Sequence, residues 1–221
     1  VSNSNTQKTI WFSILLGTLS ATGPLAIDLY LPALPQMTAQ LHTTTSLAQL
    51  SITSCLIGLA IGQIIIGGIS DHIGRKKPLI MGFFLFGIAS ILISFTSSIT
   101  LLIALRFIQG ICGASGQILA RAVARDLFSG HKLTKFYAML NSINGVFPII
   151  SPIIGGFMIH FVPWQGVFVL LGLIGFVLAG LIVVGLPETL PTEERATATF
   201  GIPLHQLVRY SKCPISSLGH S

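Results

Sequence analysis

Charge is what this sequence has least of. Only 8% of its 221 residues are Asp, Glu, Lys or Arg, and just 6 are acids. A soluble domain carries about 25% charged residues. With 52% hydrophobic residues and a mean hydropathy of +0.84, the chain cannot coat a globule with polar surface, so lipid must be much of its solvent. Cysteine is scarce too. Cys55, Cys112 and Cys213 follow neither metal nor disulfide spacing; the first two fall inside apolar segments and read as small packing residues. Catalytic groupings are missing: there is no Ser/His/Asp set, no HExxH and no phosphate-binding glycine loop ending in Lys-Ser/Thr. His42, His72, His131, His160, His205 and His220 are scattered through loops and span ends and read as solvated interfacial residues. No enzyme activity, cofactor or metal is expected. The formal charge of +6 would suit nucleic acid, but the cations sit in short clusters between apolar runs, so no nucleic-acid partner is expected.

What is present is a set of long apolar runs. A hydrocarbon core ~30 Å thick needs ~20 apolar residues of helix. Six stretches qualify, at about 10–34, 47–67, 78–96, 101–121, 136–160 and 166–186. The first is too long for a signal-peptide core of roughly 7–15 residues and ends in no small-x-small cleavage site, so it reads as a retained span. The chain opens on Val1 rather than Met, as expected of a processed, non-standard-start or excised sequence. Links 35–46, 97–100 and 161–165 hold no Lys or Arg. The tails and the links 68–77 and 122–135 hold Lys8, Arg75, Lys76, Lys77, Arg121 (at its boundary), Arg125, Lys132, Lys135, Arg195, Arg209 and Lys212. Short basic loops stay in the cytoplasm. The pattern predicts residues 1–9 as a cytoplasmic tail, 10–187 as a six-helix bundle and 188–221 as a second cytoplasmic tail, with a short interfacial helix near 204–210.

The spans differ in kind. Span two carries Ser51, Cys55, Gly58 and Gly62 at helical spacing, and small residues let helix backbones approach closely in lipid. Span five carries Tyr137, Asn141, Asn144, Pro148, Pro152 and Gly155 along one face. Spans three and six have no polar stripe and are expected outside, facing lipid. Spans one, two, four and five are expected to line an interior.

Two ionisable residues fall inside spans, Asp28 in span one and Arg106 in span four. Charges within a bilayer are expensive and usually functional. At 1.5 Å per residue, Asp28 lies ~8–9 Å and Arg106 ~8 Å from the same membrane face, so the two are expected to meet across the bundle. Gln109, Gly113 and Gln117 continue the Arg106 face inward. With Tyr30, Asn141 and Asn144 they are the candidate lining of a cavity. Burial and a neighbouring cation pull a carboxylate's proton affinity in opposite directions. Such a site can exchange a proton near neutral pH, and a cationic or neutral substrate can compete for it.

Between spans two and three stands an abrupt polar knot, GGISDHIGRKKPL, residues 67–79. It resembles the G-x-L-a-D-r-x-G-r-k-x-x-l signature of the major facilitator superfamily, with Gly67, Asp71, Gly74, Arg75, Lys76 and Leu79 matching and Ile69 and His72 as mild departures. LIALRFIQGICGA resembles the helix-four signature of that family, with Arg106, Gln109 and Gly110 in place. PIISPIIGG, which begins at Pro148, resembles its helix-five antiporter signature, with Pro152, Gly155 and Gly156 matching and Ser151 replacing a Gly. DLYLPALP and LPETL resemble the bicyclomycin-resistance group of drug:proton antiporters. A family W-R-x-x-F pattern is departed from at Gln165.

The resemblance implies an all-α membrane protein of the cell inner membrane. It would be the N-terminal half of a twelve-helix fold, built as two inverted three-helix repeats. It implies proton-driven export of small amphipathic or cationic drug-like molecules, with Asp28 and Arg106 in proton coupling. Gly67, Asp71, Gly74, Arg75 and Lys76 would form a cytoplasmic gate closing against the other half. The chain supplies six of twelve helices, so a missing C-terminal half or a second copy is the expected partner. Two alternatives stand beside this reading: uptake of a metabolite or sugar by another branch of the family, and a non-transporting remnant.

Overall fold

A computed structural model describes residues 2–191, with side chains from residue 11 onward. The regular elements of the described residues are all helical: α1 (Ser2–Asp28), a 3-10 turn (Leu31–Ala33), α2 (Leu34–Gln40), α3 (Thr45–Ile73), α4 (Lys76–Ser94), α5 (Ile99–Leu127), α6 (Gly130–Met158) and α7 (Gln165–Gly185). Six segments are long and apolar enough to cross a membrane. Helix is the expected answer in lipid, where every backbone N–H and C=O must find its partner within the segment. The predicted interfacial helix at 204–210, Cys213, and most of the predicted tail at 188–221 lie outside the described residues.

The helices outrun the hydropathy pattern. The first span continues past residue 34, because α1 ends at Asp28 and the chain restarts through Leu31–Ala33 into α2, reaching Gln40. Pro32 and Pro35 open the two short pieces, where a missing N–H costs nothing. Of the predicted loop 68–77, all but Gly74 and Arg75 is helix. Between α5 and α6 only Phe128 and Ser129 separate the ends. Apolarity marks what lipid covers, whereas these helices carry on into water on polar turns. The residues predicted as an N-terminal tail likewise begin α1 at Ser2.

The main neighbours are α3 with α5, α1 with α6, α4 with α7, α1 with α5, and α4 with α5. Exchanging the first three spans for the last three maps the first four pairings onto themselves, as two inverted three-helix repeats require. Two apolar clusters fill the bundle. One, at the end bearing the basic loops, centres on Leu16, Leu19, Phe83, Val123 and Phe136. The other, at the opposite end, centres on Tyr30, Phe86, Ile93, Trp164 and Phe168.

The seam between α3 and α5 is backbone on backbone. A Cβ on Gly58 would run into the carbonyl oxygen of Phe107, and one on Gly110 into that of Cys55. The paired small residues of span two therefore do what their spacing suggests. Cys55 and Cys112 are buried free thiols.

Spans three and six turn out otherwise than their all-round apolarity suggests. The apolar windows of α4 and α7 are 50% and 44% buried, while those of α3 and α6 are only 17% buried each. Uniform apolarity hid a tight α4–α7 face, where Gly172 and Gly175 lie against Gly87. The least covered helices are α3 and α6, which present Ile64, Ile65, Ile149, Ile153 and Phe157 outward.

Candidate functional site

Arg106 is fully buried in the middle of a polar and aromatic box. One terminal nitrogen donates to the Ala26 carbonyl at 3.1 Å and to Gln109 Oε1 at 2.8 Å. Gln109 Nε2 in turn donates to Ser90 Oγ at 2.7 Å, and Ser90 donates to the Phe86 carbonyl. Two neighbouring aromatic rings face the guanidinium, Tyr30 at 4.6 Å and Phe168 at 5.4 Å from its carbon, their own centroids 5.2 Å apart. Trp164 meets Phe168 edge-on and donates Nε1–H to Gln40 Oε1 at 2.8 Å. The W-Q-x-x-F stretch at residues 164–168 thus builds one wall of the box. Arg106 Nε and its other terminal nitrogen have no hydrogen-bond partner among the described residues.

Asp28 does not meet Arg106. The ion pairs among the described residues are Arg75–Asp71 and Arg75–Asp126. Depth is matched, but azimuth is not. Arg106 lies against the Ala26 carbonyl of α1 and the Tyr30 ring just beyond its end, and Asp28, two residues from each, falls on the far side. Asp28 is half-buried and is the last residue of α1. A carboxylate is disfavoured at that end of a helix dipole.

The other candidate lining residues take varied places. Tyr30 is buried, its hydroxyl shared between Met37 Sδ at 2.6 Å and Ser51 Oγ at 3.2 Å. Gln109 and Gly113 are buried as well. Gln117 is half-buried and accepts from Gln63 Nε2 at 2.8 Å, across the α3–α5 seam. Asn144 donates to Ser20 Oγ at 3.0 Å, bridging α6 to α1, and Asn141 is exposed. On α6, Pro148 is exposed, Pro152 is within the helix, Gly155 abuts the Leu29 carbonyl and Gly156 faces open space.

The knot at the basic end is a second constellation. Gly74 ends α3 with φ of 97°, a region that glycine alone enters without strain. Arg75, 5% exposed, donates to Asp71 Oδ1 at 2.6 Å, Ser70 Oγ at 2.7 Å and Asp126 Oδ2 at 3.2 Å. Lys76 Nζ donates to the Val183 carbonyl at 2.9 Å, and Gly67 helps line a shallow hollow of about 290 Å³ with Asp71, Arg75, Arg121, Arg125 and Tyr137. Two acids here were not singled out in the sequence. Asp126 accepts from Arg75 and from Thr189 Oγ1. Glu188 accepts from the backbone N–H of Arg75 at 2.8 Å and of Lys76 at 3.3 Å, which caps the start of α4. The signal was their rarity: of 6 acids in the sequence, Asp71, Asp126 and Glu188 converge on one arginine and its loop.

The sequence profile of a family described as Major Facilitator Superfamily matches residues 11–216. The chain belongs to the major facilitator superfamily. Its relatives include YdgK, an uncharacterized MFS-type transporter of Bacillus subtilis, 42% identical over 90% of this chain and 50% of that one. A bicyclomycin resistance protein homolog of Haemophilus influenzae is 33% identical over 86% of this chain and 48% of that one. The multidrug resistance protein MdtL of Vibrio parahaemolyticus is 32% identical over 77% and 43%. Among solved structures, the human organic anion transporter MFSD10 (TETRAN) superposes with a TM-score of 0.64 at 19% identity, over 89% of this chain and 51% of that one. The chain spans about half the length of the curated relatives it matches. Within the superfamily fold, the box around Arg106 lies inside one six-helix unit, and the least covered helices, α3 and α6, are on its flanks.

Proposed function

We propose that this chain forms one half of a proton-coupled exporter of small amphipathic or cationic drug-like molecules in the cell inner membrane, with both termini cytoplasmic. The observation that carries the reading is Arg106. A guanidinium withdrawn from solvent without a carboxylate is costly, and such groups inside a membrane mark coupling sites. Relatives named for bicyclomycin and multidrug resistance supply the substrate class. Asp28, at the break after α1, is the proton carrier, and Arg106 is the fixed charge that holds the core behind it. Exchange follows from competition: protonation of Asp28 discharges the site that holds a cationic substrate, and deprotonation restores it. Gln117, Asn141 and Asn144 are the polar contacts of the substrate path. Pro148, Pro152, Gly155 and Gly156 shape α6 beside it. Gly67, Asp71, Gly74, Arg75 and Lys76 are the cytoplasmic gate. The uncovered apolar faces of α3 and α6 are the seat of a second half or a second copy.

The test is drug accumulation in cells. The chain alone is expected to confer no export, and co-expression with a matching second half is expected to restore some, lost again in Asp28→Asn. Proton-dependent efflux by the chain alone, abolished by Asp28→Asn, would replace the two-half reading with a homodimer. Export indifferent to Asp28→Asn would sink the proton-carrier role.

A further inference from the structure

At the basic end, a cavity of about 680 Å³ opens between α1 and the start of α6. Its floor is apolar. Phe128 and Phe136 stack at 5.0 Å with their planes 27° apart, and Met139 continues that floor. Ser13 of α1 forms the facing wall, and Lys132 and Lys135 stand at the rim. Both lysines are exposed, and neither has an acidic partner among the described residues.

Their position is electrostatically unfavourable for the chain alone. Lys132 is in the first turn of α6 and Lys135 in the second. A helix N-terminus already carries partial positive charge, and cations belong at the other end. Nor is the end neutralised locally: the Ser129 side chain makes no cap bond, and the first turn of α6 has no acid. An anion at the rim would answer both the lysines and the unpaired N–H groups of that turn. The depth fits a headgroup. Trp11, 45% exposed, is two residues before Ser13 on α1, about 3 Å along the axis, and tryptophan rings gather at the membrane interface.

We propose that this cavity binds an anionic phospholipid from the leaflet at the basic end, its phosphate between Lys132 and Lys135 and an acyl chain along Phe128, Phe136 and Met139. A basic hollow between spans over an apolar floor matches the charge and shape of such a lipid. A zwitterionic lipid fits less well, because its own ammonium would face two lysines.

The 221-residue chain, purified in neutral detergent, is titrated with dioleoylphosphatidylglycerol, dioleoylphosphatidylcholine or inorganic phosphate, and bound molecules are counted by native mass spectrometry. Phosphatidylglycerol is expected to bind roughly tenfold more tightly than phosphatidylcholine. Joint Lys132→Gln and Lys135→Gln should erase that preference, and Lys77→Gln, outside the cavity, should leave it intact. Met139→Trp keeps both charges and fills the floor. It should weaken phosphatidylglycerol binding, and it decides the matter if the double variant does not fold. Equal retention of the two lipids, an equal loss with Lys77→Gln, no loss with Met139→Trp, or full displacement by inorganic phosphate would each overturn the proposal.

Discussion

A guanidinium with no carboxylate beside it must be held by weaker partners, and Arg106 shows which ones suffice. Two carbonyl-type acceptors and two aromatic faces surround it. A desolvated cation over a ring gains about 2 kcal/mol. The two rings should therefore be unequal to mutation in a specific way. Tyr30→Phe keeps the ring over the cation and loses only the hydroxyl's bonds to Met37 and Ser51, for about 1 kcal/mol of stability. Phe168→Ala removes a ring and opens a cavity, for about 3–5 kcal/mol. Thermal unfolding in detergent separates the two. At Gly74 the backbone itself sets the cost: Gly74→Ala at φ of 97° is expected to lose about 1–3 kcal/mol, whereas Gly68→Ala, inside α3 with open space around it, should gain about 0.5–1 kcal/mol. Arg106 and Gly74 were both legible in the sequence, one as a charge inside an apolar run and one as a glycine in a tight polar knot. Phe168 was not, because an aromatic in an apolar helix carries no mark of what it faces. The missed meeting of Asp28 and Arg106 has the same origin: residue counting gives depth along a helix, and only packing gives its rotation.

Elements join here by two devices. Glycine seams bring α3 and α5 together so closely that a branched side chain has no room; Gly110→Val is expected to abolish folding, as judged by gel filtration and protease resistance. The second device is a borrowed cap. Glu188, just after α7, accepts from the first N–H groups of α4. Glu188→Ala is expected to raise hydrogen exchange at the Arg75 and Lys76 amides, with little change at the Trp164 end, while Glu188→Gln retains most of the protection. Loss of a cap costs about 1 kcal/mol; unchanged exchange in the alanine variant would remove the cap. The number and order of spans were plain from hydropathy. Their ends were not, since α3, α5 and α6 extend beyond the apolar window as polar helix.

At the scale of the molecule, the α3 and α6 flanks remain apolar and uncovered. Ile64 is 79% and Ile153 68% exposed. If these flanks seat a second half, Ile64→Trp with Ile153→Trp should cut co-purification with it several-fold. The change keeps a membrane-compatible surface, so the chain's own stability should shift by no more than about 0.5 kcal/mol. Unaltered co-purification would leave those flanks to lipid. The fold class followed from charge alternation and span count. Which flank is bare did not, because lipid and a partner protein ask for the same residues.

The partners of Arg75 also set an order in time. Asp71 lies 4 residues before it, Asp126 lies 51 after it and Glu188 lies 113 away in the chain from the amide that it caps. A ribosome adds roughly 5–20 residues per second, so about 6–23 s pass between the synthesis of that amide and the arrival of its cap. During this interval the turn into α4 rests on Ser70 and Asp71, then on these and Asp126. The loop is completed only when the last described span has left the ribosome, so the tie that closes the knot is also a record that all six spans have been made.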